Sequence, residues 1–172
     1  MNNSKLLSLG IGDAFDWLDQ VVAGLTPVQY AYQPDGSANP ISKLHAHTLA
    51  SADFWMNLMA IGKPMVWMTF SENVGLPSNW IEMWKFDGQI KLQDMQEYAS
   101  KLRDCLANVE ALDDASLERE LSAPFFGPRD VAFVLRLAGM QCAIHTGEIS
   151  AAKGLQGLQG LSLLLLLFYL SF

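Results

Sequence analysis

RDVAFVLRLAGMQCAIHTGEISAAKGL, residues 129–155, places apolar side chains three or four positions apart along its whole length. This spacing keeps them on one face of an α-helix, so the stretch predicts a long helix with a buried side. The predicted inner face carries aliphatic and small side chains and one histidine: Val131, Val134, Leu135, Ala138, Cys142, His145, Ile149 and Ala152. The stretch therefore predicts both a bundle helix and a candidate site residue.

Three further segments show the same periodicity, at residues 6–25, 40–62 and 87–112. The helix of the second segment is expected to have Asn39 as its N-cap and Pro40 as its first residue, because both are favoured there. No stretch alternates apolar and polar residues over the length of a strand. We therefore expect an all-α fold, a four-helix bundle with a long crossover connection after the second helix.

The connections between these helices are recognised by their polar and helix-breaking residues. QPDGSANP, residues 33–40, is predicted as a loop because it combines Pro, Asp, Gly, Ser and Asn. Residues 63–86 are expected to form the crossover, with a short helix at SNWIEMWKF, residues 78–86. DDASLERELSAPFFGP, residues 113–128, is interpreted as a polar connection.

The length of 172 residues is typical of one domain, which we assign to residues 1–160. Eleven Lys and Arg against eighteen Asp and Glu give a net charge of −7, and this disfavours binding to nucleic acid. Two cysteines are too few for a disulfide framework, and the N-terminus does not resemble a secretory signal, so a cytoplasmic location is expected.

The chain ends in an atypical apolar tail, LSLLLLLFYLSF, residues 161–172. A membrane-spanning helix needs about 20 apolar residues, and extending this tail backwards would take in Gln159, Gln156 and Lys153. A membrane anchor is therefore not expected. The tail either packs on the bundle or promotes association between chains.

Three histidines are present: His45, His47 and His145. Helical positions two apart point about 200° away from each other, so His45 and His47 cannot both face the bundle interior. Gln141 lies four residues before His145, on the same face of the last helix. One imidazole from the second helix would therefore complete a three-ligand set with Gln141 and His145. Because a carboxamide oxygen is a weak, neutral ligand for zinc, nickel or iron(II), this set would bind metal less tightly than three imidazoles.

Structural roles explain the same side chains equally well. The histidines can be partly buried side chains that hydrogen-bond to neighbours such as Asp53 or Glu148. Glu148, one turn after His145, is either a catalytic carboxylate or an exposed charge. Cys142 is interpreted as a small core residue, because no base is predicted beside it.

Two motifs resemble those of the DinB-like superfamily, which includes YfiT-like proteins. ANPISKLHAHTLASADFWMN, residues 38–57, is similar to the start of the family's second helix, and MQCAIHTGEISAAKGLQGLQG, residues 140–160, is similar to its last helix and Gly-Leu ending. The order and lengths of the helices are also similar over most of the chain.

The resemblance implies a four-helix bundle, often a homodimer, that holds a divalent metal through three histidines. It implies His47 and His145 as two of the ligands and puts Gln141 at the position of the remaining histidine. Relatives of this kind include S-transferases that use low-molecular-weight thiols such as bacillithiol or mycothiol.

Two functions follow as hypotheses. The first is a divalent-metal-dependent enzyme, a thiol S-transferase or hydrolase acting on a small molecule, with an incomplete histidine triad and Glu148 as a catalytic residue. The second is a non-catalytic bundle that binds a small ligand or serves as a dimeric scaffold. The replacement at Gln141 weighs against the first, and the residues leave both open.

Overall fold

A computed structural model describes residues 2–36 and 38–161 of the chain. Its helices are α1 (Asn3–Val22), α2 (Pro27–Tyr30), α3 (Ile41–Asp53), a π-helical segment (Phe54–Ile61), α4 (Val66–Val74), a 3₁₀ helix (Trp80–Lys85), α5 (Leu92–Glu110), α6 (Asp114–Glu118) and α7 (Val131–Leu155). Strands β1 (Glu120–Ala123) and β2 (Gly127–Asp130) form a small antiparallel hairpin before α7.

The four long helices form a bundle in which each one packs against two others. Helix α7 contacts α1 and α3, and α5 contacts the same two helices from the opposite side. The predicted apolar face of α7 is buried, with Val131, Val134, Leu135, Ala138 and Cys142 at 3% exposure or less, whereas His145 is half-buried. The all-α prediction and the crossover after the second helix are confirmed.

The second helix ends at Gly62 as predicted but differs from its prediction at its start and in the geometry of its second half. Pro40, not Asn39, is the cap residue, and no side chain makes a capping hydrogen bond there. After Asp53 the helix continues as a π-helix, in which each hydrogen-bonded turn contains one more residue than in an α-helix. It ends at Gly62, which adopts a left-handed φ of 77°. The periodicity predicted this length of helix but not the widening, which changes the direction of the side chains after residue 53.

Several short elements were missed because their sequences lack a long periodic pattern. Helix α4 lies within the predicted crossover, and α6 and the hairpin lie within the predicted polar connection. A residue of another helix caps the start of α4. A carboxylate oxygen of Asp53 accepts a hydrogen bond of 2.8 Å from the amide of Trp67, in the first turn of α4. The short helix expected at residues 78–86 is present as the 3₁₀ helix.

Helix α7 has recognisable signals at its two ends. The Asp130 carboxylate accepts a hydrogen bond from the Phe133 amide at its start. At its end, Gly157 takes a left-handed φ of 71° and the amide of Leu158 returns to the carbonyl of Lys153. The predicted apolar tail falls almost entirely on residues outside those described. Within residues 2–36 and 38–161, no helix combines the length and apolarity needed to span a membrane.

Candidate functional site

The candidate site lies where α3 faces α7. The two helices run antiparallel here, with the His47 ring against the His145 ring and the Ser51 side chain against the Gln141 side chain. His47 and Ser51 are one turn apart on α3, as Gln141 and His145 are on α7. We call these four side chains the polar patch: His47, Ser51, Gln141 and His145.

His47 has an unsatisfied polar atom in this patch. Its ring centroid lies 5.4 Å from that of His145, and the two planes are nearly perpendicular at 83°. Its Nδ1 is buried and has no hydrogen-bond partner among the described residues. Burial, together with the positive charge that His145 would carry, lowers the pKa of His47 from 6.5 to about 4. His47 is therefore a neutral imidazole at physiological pH, with one nitrogen left to bond.

His145 is held by the carboxylate of the next turn. Its Nδ1 and Oε2 of Glu148 are 2.7 Å apart, while the His145 side chain keeps 18% of its surface exposed. A carboxylate on one imidazole nitrogen fixes the ring orientation and leaves the other nitrogen, Nε2, to act on a ligand. Glu148 thus has the position of a residue that orients His145, and no contact gives it a separate catalytic role.

Gln141 is already fully engaged through its carbonyl oxygen. The Ser51 hydroxyl donates to Oε1, and the Trp55 indole N–H donates to the same atom at 3.1 Å. An amide oxygen has two lone pairs, so these two donors use its acceptor capacity. Because an indole N–H can only donate, the contact with Trp55 also fixes which end of the amide carries the oxygen.

His45 faces away from the patch, as helical geometry requires. It is completely buried, and its Nδ1 lies 2.9 Å from the hydroxyl of Tyr30. Desolvation lowers the pKa of His45 to about 3, so it remains neutral. The sequence left the choice between His45 and His47 open, and the contact with Tyr30 assigns His45 to the core.

Aromatic rings also pack against His47. Trp84 and Trp80 lie with ring centroids 4.3 Å and 5.2 Å from the His47 ring, and Phe54 lies 5.7 Å from Trp80. We call these three half-buried side chains the aromatic wall. The sequence predicted a short helix at residues 78–86 but gave its two tryptophans no role in the site. Only the folding of the crossover back over α3 brings the two tryptophans to His47.

The donor set does not fit the three-histidine centre that the family resemblance implies. The patch offers two imidazoles, and the third position is occupied by Gln141, whose oxygen is taken by Ser51 and Trp55. Within the described residues, no group of three His, Cys, Asp or Glu side chains is arranged to hold one metal ion. The structure brings together His47, Gln141, His145 and Glu148, and their role as metal ligands or catalytic residues stays a prediction.

A cavity of about 400 Å³ opens beside the patch. Leu44 and Glu148, each one turn from a histidine of the patch, form part of its lining, and the four patch side chains themselves do not. The rest of the lining comes from the end of α7 and from four loop residues, Pro34, Asp35, Ala38 and Asn39. This volume lies within the range of small-molecule sites, about 300 to 1,000 Å³. A larger cavity of about 720 Å³ lies elsewhere, between α2 and the segment that precedes α5, and does not include the patch.

Comparisons with known proteins agree with this architecture. A family model described as the DinB superfamily matches residues 13–149. The crystal structure of a conserved protein from Enterococcus faecalis superposes with a TM-score of 0.75 at 15% sequence identity, covering 89% of this chain and 96% of that one. At this identity the similarity shows the fold alone. No functionally characterised protein in the curated collections matches significantly.

Proposed function

Because the chain belongs to the DinB superfamily, we propose that it binds a small molecule at the polar patch and does so without a tightly held metal ion. The observation that carries the proposal is the double hydrogen bond to Gln141 Oε1 from Ser51 and Trp55. Binding a metal through this oxygen would displace at least one of the two donors and leave that group, the Ser51 hydroxyl or the buried Trp55 N–H, without its partner. That loss costs about 1 to 3 kcal/mol for the group left unpaired.

The two histidines support ligand binding by a different argument. A buried nitrogen without a partner, such as His47 Nδ1, is unfavourable in the free protein and gains a hydrogen bond when a ligand supplies one. His145 remains partly exposed and is oriented by Glu148, so its second nitrogen can contact the same ligand. A cavity of about 400 Å³ reaches Leu44 and Glu148, each one turn from one of the two histidines.

The proposal is tested by NMR of protein labelled with ¹³C in its histidine rings. Three histidines give three sets of ring signals, and the buried His45 serves as an internal reference. The protein is screened against a set of neutral fragments, half of them aromatic and half saturated. We expect some of these compounds to shift the signals of His47 and His145 without shifting that of His45. A screen in which no compound moves the two signals refutes the proposal.

A metal-dependent enzyme, of the thiol S-transferase or hydrolase type, is the second candidate. It is supported by the edge-on approach of the two imidazoles and by the Glu148 carboxylate behind His145, since metal-binding histidines usually have such a partner. If this candidate is correct, protein purified without a histidine tag retains about one equivalent of zinc, nickel or iron per chain. Substoichiometric metal, lost on dialysis, favours metal-independent binding.

Gln141 variants separate the two candidates. Gln141→His restores the third imidazole, and we expect it to bind Zn²⁺ more than about tenfold tighter than the original chain in calorimetric titrations. Gln141→Leu is the matched control, because it removes the carbonyl oxygen without adding a ligand. An original chain that already binds Zn²⁺ as tightly as Gln141→His would support the metalloenzyme.

We further propose that the protein is cytoplasmic, and that it forms a homodimer, which the resemblance implies for the family. Both cysteines are unpaired thiols, Cys142 buried and Cys105 half-buried, which is compatible with a reducing compartment. Light scattering measures the mass directly. A mass near 19.0 kDa, that of one chain, contradicts the dimer.

A further inference from the structure

The aromatic wall indicates which class of small molecule the polar patch accepts. Phe54, Trp80 and Trp84 are half-buried, so each presents part of its ring to solvent next to His47. They come from two different elements, the π-helical segment and the 3₁₀ helix. Large aromatic side chains concentrated beside a polar group are typical of binding sites, because they offer extensive contact area at low conformational cost.

The backbone at Trp84 is connected to α3. The Lys43 ammonium, one turn before His47 on α3, donates a hydrogen bond of 3.0 Å to the carbonyl of Trp84. The Trp84 ring lies 4.3 Å from the His47 ring at an angle of 40°. The end of the 3₁₀ helix is therefore bound to α3, and the ring faces are in position before a ligand arrives, which reduces the ordering cost of binding.

The polar patch restricts the charge of the ligand. The Glu148 carboxylate beside His145 repels an anionic group, and the low pKa of His47 leaves that imidazole neutral. The nearest ammonium group, on Lys43, is engaged with the Trp84 carbonyl. A neutral hydroxyl, thiol or amide satisfies Nδ1 of His47 without this repulsion.

We propose that the ligand carries a planar aromatic ring, which packs against the aromatic wall, and a neutral hydrogen-bonding group, which reaches His47. This inference rests on the proposed function, because it identifies the ligand class of the same site. Aromatic rings gain from stacked and edge-on contacts beyond the burial of their area, and a saturated ring of the same size does not.

Two probes of similar shape test the inference: 2-naphthol and trans-decahydro-2-naphthol, which share the fused two-ring frame and the hydroxyl and differ in aromaticity. We expect 2-naphthol to bind at least about fivefold more tightly in calorimetric titrations, and to shift the NMR signals of His47 and His145. If the two probes bind with equal affinity and both shift the signals of His47 and His145, the aromatic preference is wrong but the proposed function is still supported. No shift with any neutral compound of the fragment set refutes the proposed function itself.

Variants of the aromatic wall test where the aromatic ring of the ligand binds. Trp84→Leu and Trp80→Leu should each weaken 2-naphthol binding about fivefold and change decahydronaphthol binding much less. Phe125→Leu is the matched control, since this aromatic side chain is 98% exposed at the hairpin tip and lies outside the wall. If one tryptophan variant does not fold, as judged by circular dichroism, the other supplies the measurement. Unchanged 2-naphthol affinity in a folded wall variant overturns the inference.

Discussion

The polar patch and a second polar cluster, around Asp53, both include residues of α3 and differ in how their hydrogen bonds are satisfied. Asp53 is fully buried, and both of its oxygens have partners: Oδ1 accepts from Asn57 at 2.7 Å, and Oδ2 accepts from the Tyr98 hydroxyl at 2.6 Å and the Trp67 amide at 2.8 Å. In the patch, His47 Nδ1 is buried without a partner among the described residues, and His145 keeps contact with solvent. Oδ1 of Asn57 in the Asp53 cluster is also unpaired, but Asn57 is enclosed in the core, so the clusters differ in their contact with solvent.

This difference distinguishes a cluster that stabilises the fold from one that is available to a ligand. The Asp53 carboxylate joins the end of α3, the start of α4 and the middle of α5 through hydrogen bonds that engage both of its oxygens. Burial raises the pKa of Asp53, and hydrogen bonds from the side chains of Tyr98 and Asn57 and from the backbone of Trp67 and Val66 oppose that rise. Groups with complete hydrogen bonding make a fold specific, whereas an unpaired buried group requires an explanation such as ligand binding.

The largest loss of stability is expected for Asp53→Ala. It leaves the Trp67 amide, the Tyr98 hydroxyl and the Asn57 side chain without their common acceptor, and we expect about 3 to 4 kcal/mol from urea denaturation. Asp104→Ala, at an exposed position of α5, is the control and should change stability by less than about 0.5 kcal/mol. A loss below about 1 kcal/mol for Asp53→Ala would remove the contrast between the clusters.

Tyr98→Phe should have the next largest effect. The variant loses one hydrogen bond to the carboxylate but keeps the ring, which stacks on Phe70 with centroids 5.0 Å apart. A hydrogen bond to a charged group contributes about 1.5 to 3 kcal/mol, so we expect a loss of about 2 kcal/mol by the same urea measurement. A change near zero would mean that the ring packing, and not the hydroxyl, stabilises α5 here.

Gln141→Leu should cost less, about 1 to 1.5 kcal/mol. It leaves the Ser51 hydroxyl and the Trp55 N–H without their acceptor, but Gln141 is only half-buried, so water can replace part of the lost bonding. Thermal denaturation at neutral pH measures the difference. A cost as large as that of Asp53→Ala would indicate that the patch stabilises the fold to the same degree.

His47→Gln should have the smallest effect on stability at pH 7.5, within about 0.5 kcal/mol, because the imidazole nitrogen it removes makes no hydrogen bond in the free protein. The same variant should abolish the ligand-induced shift of the His145 signal. A large loss of stability together with unchanged ligand binding would reverse the roles assigned to the two clusters.

The effect of His47 on stability should depend on pH. Its pKa is about 4 in the folded protein and 6.5 when exposed, so the unfolded chain takes up the proton first as pH falls. The contribution of His47 is therefore fully present above pH 6.5 and declines toward pH 4. Between pH 7.5 and pH 4.5 the original chain should lose about 2 kcal/mol more than His47→Gln, and an equal loss would contradict the burial of this imidazole.

The sequence alone determined the bundle and its four long helices. Apolar residues three or four positions apart follow from local helical geometry alone. The predicted inner face of α7 is the buried face, apart from His145, which is only half-buried. The motifs of α3 and α7 also indicated the superfamily, which the match over residues 13–149 confirms. The prediction failed at Asn39 and for α4 and the hairpin, where the structure is held by contacts distant in sequence.

Only the tertiary structure decided how the candidate site is built. His45 and His47 have equivalent local patterns, and the packing of Tyr30 against one and His145 against the other distinguishes them. The two tryptophans beside His47 lie more than thirty positions away from it in the chain. The hydrogen bonds from Ser51 and Trp55 to Gln141 depend on the register between two antiparallel helices. Helical periodicity specifies which side of a helix is buried, but the partner on that side is specified by the packing of the whole chain.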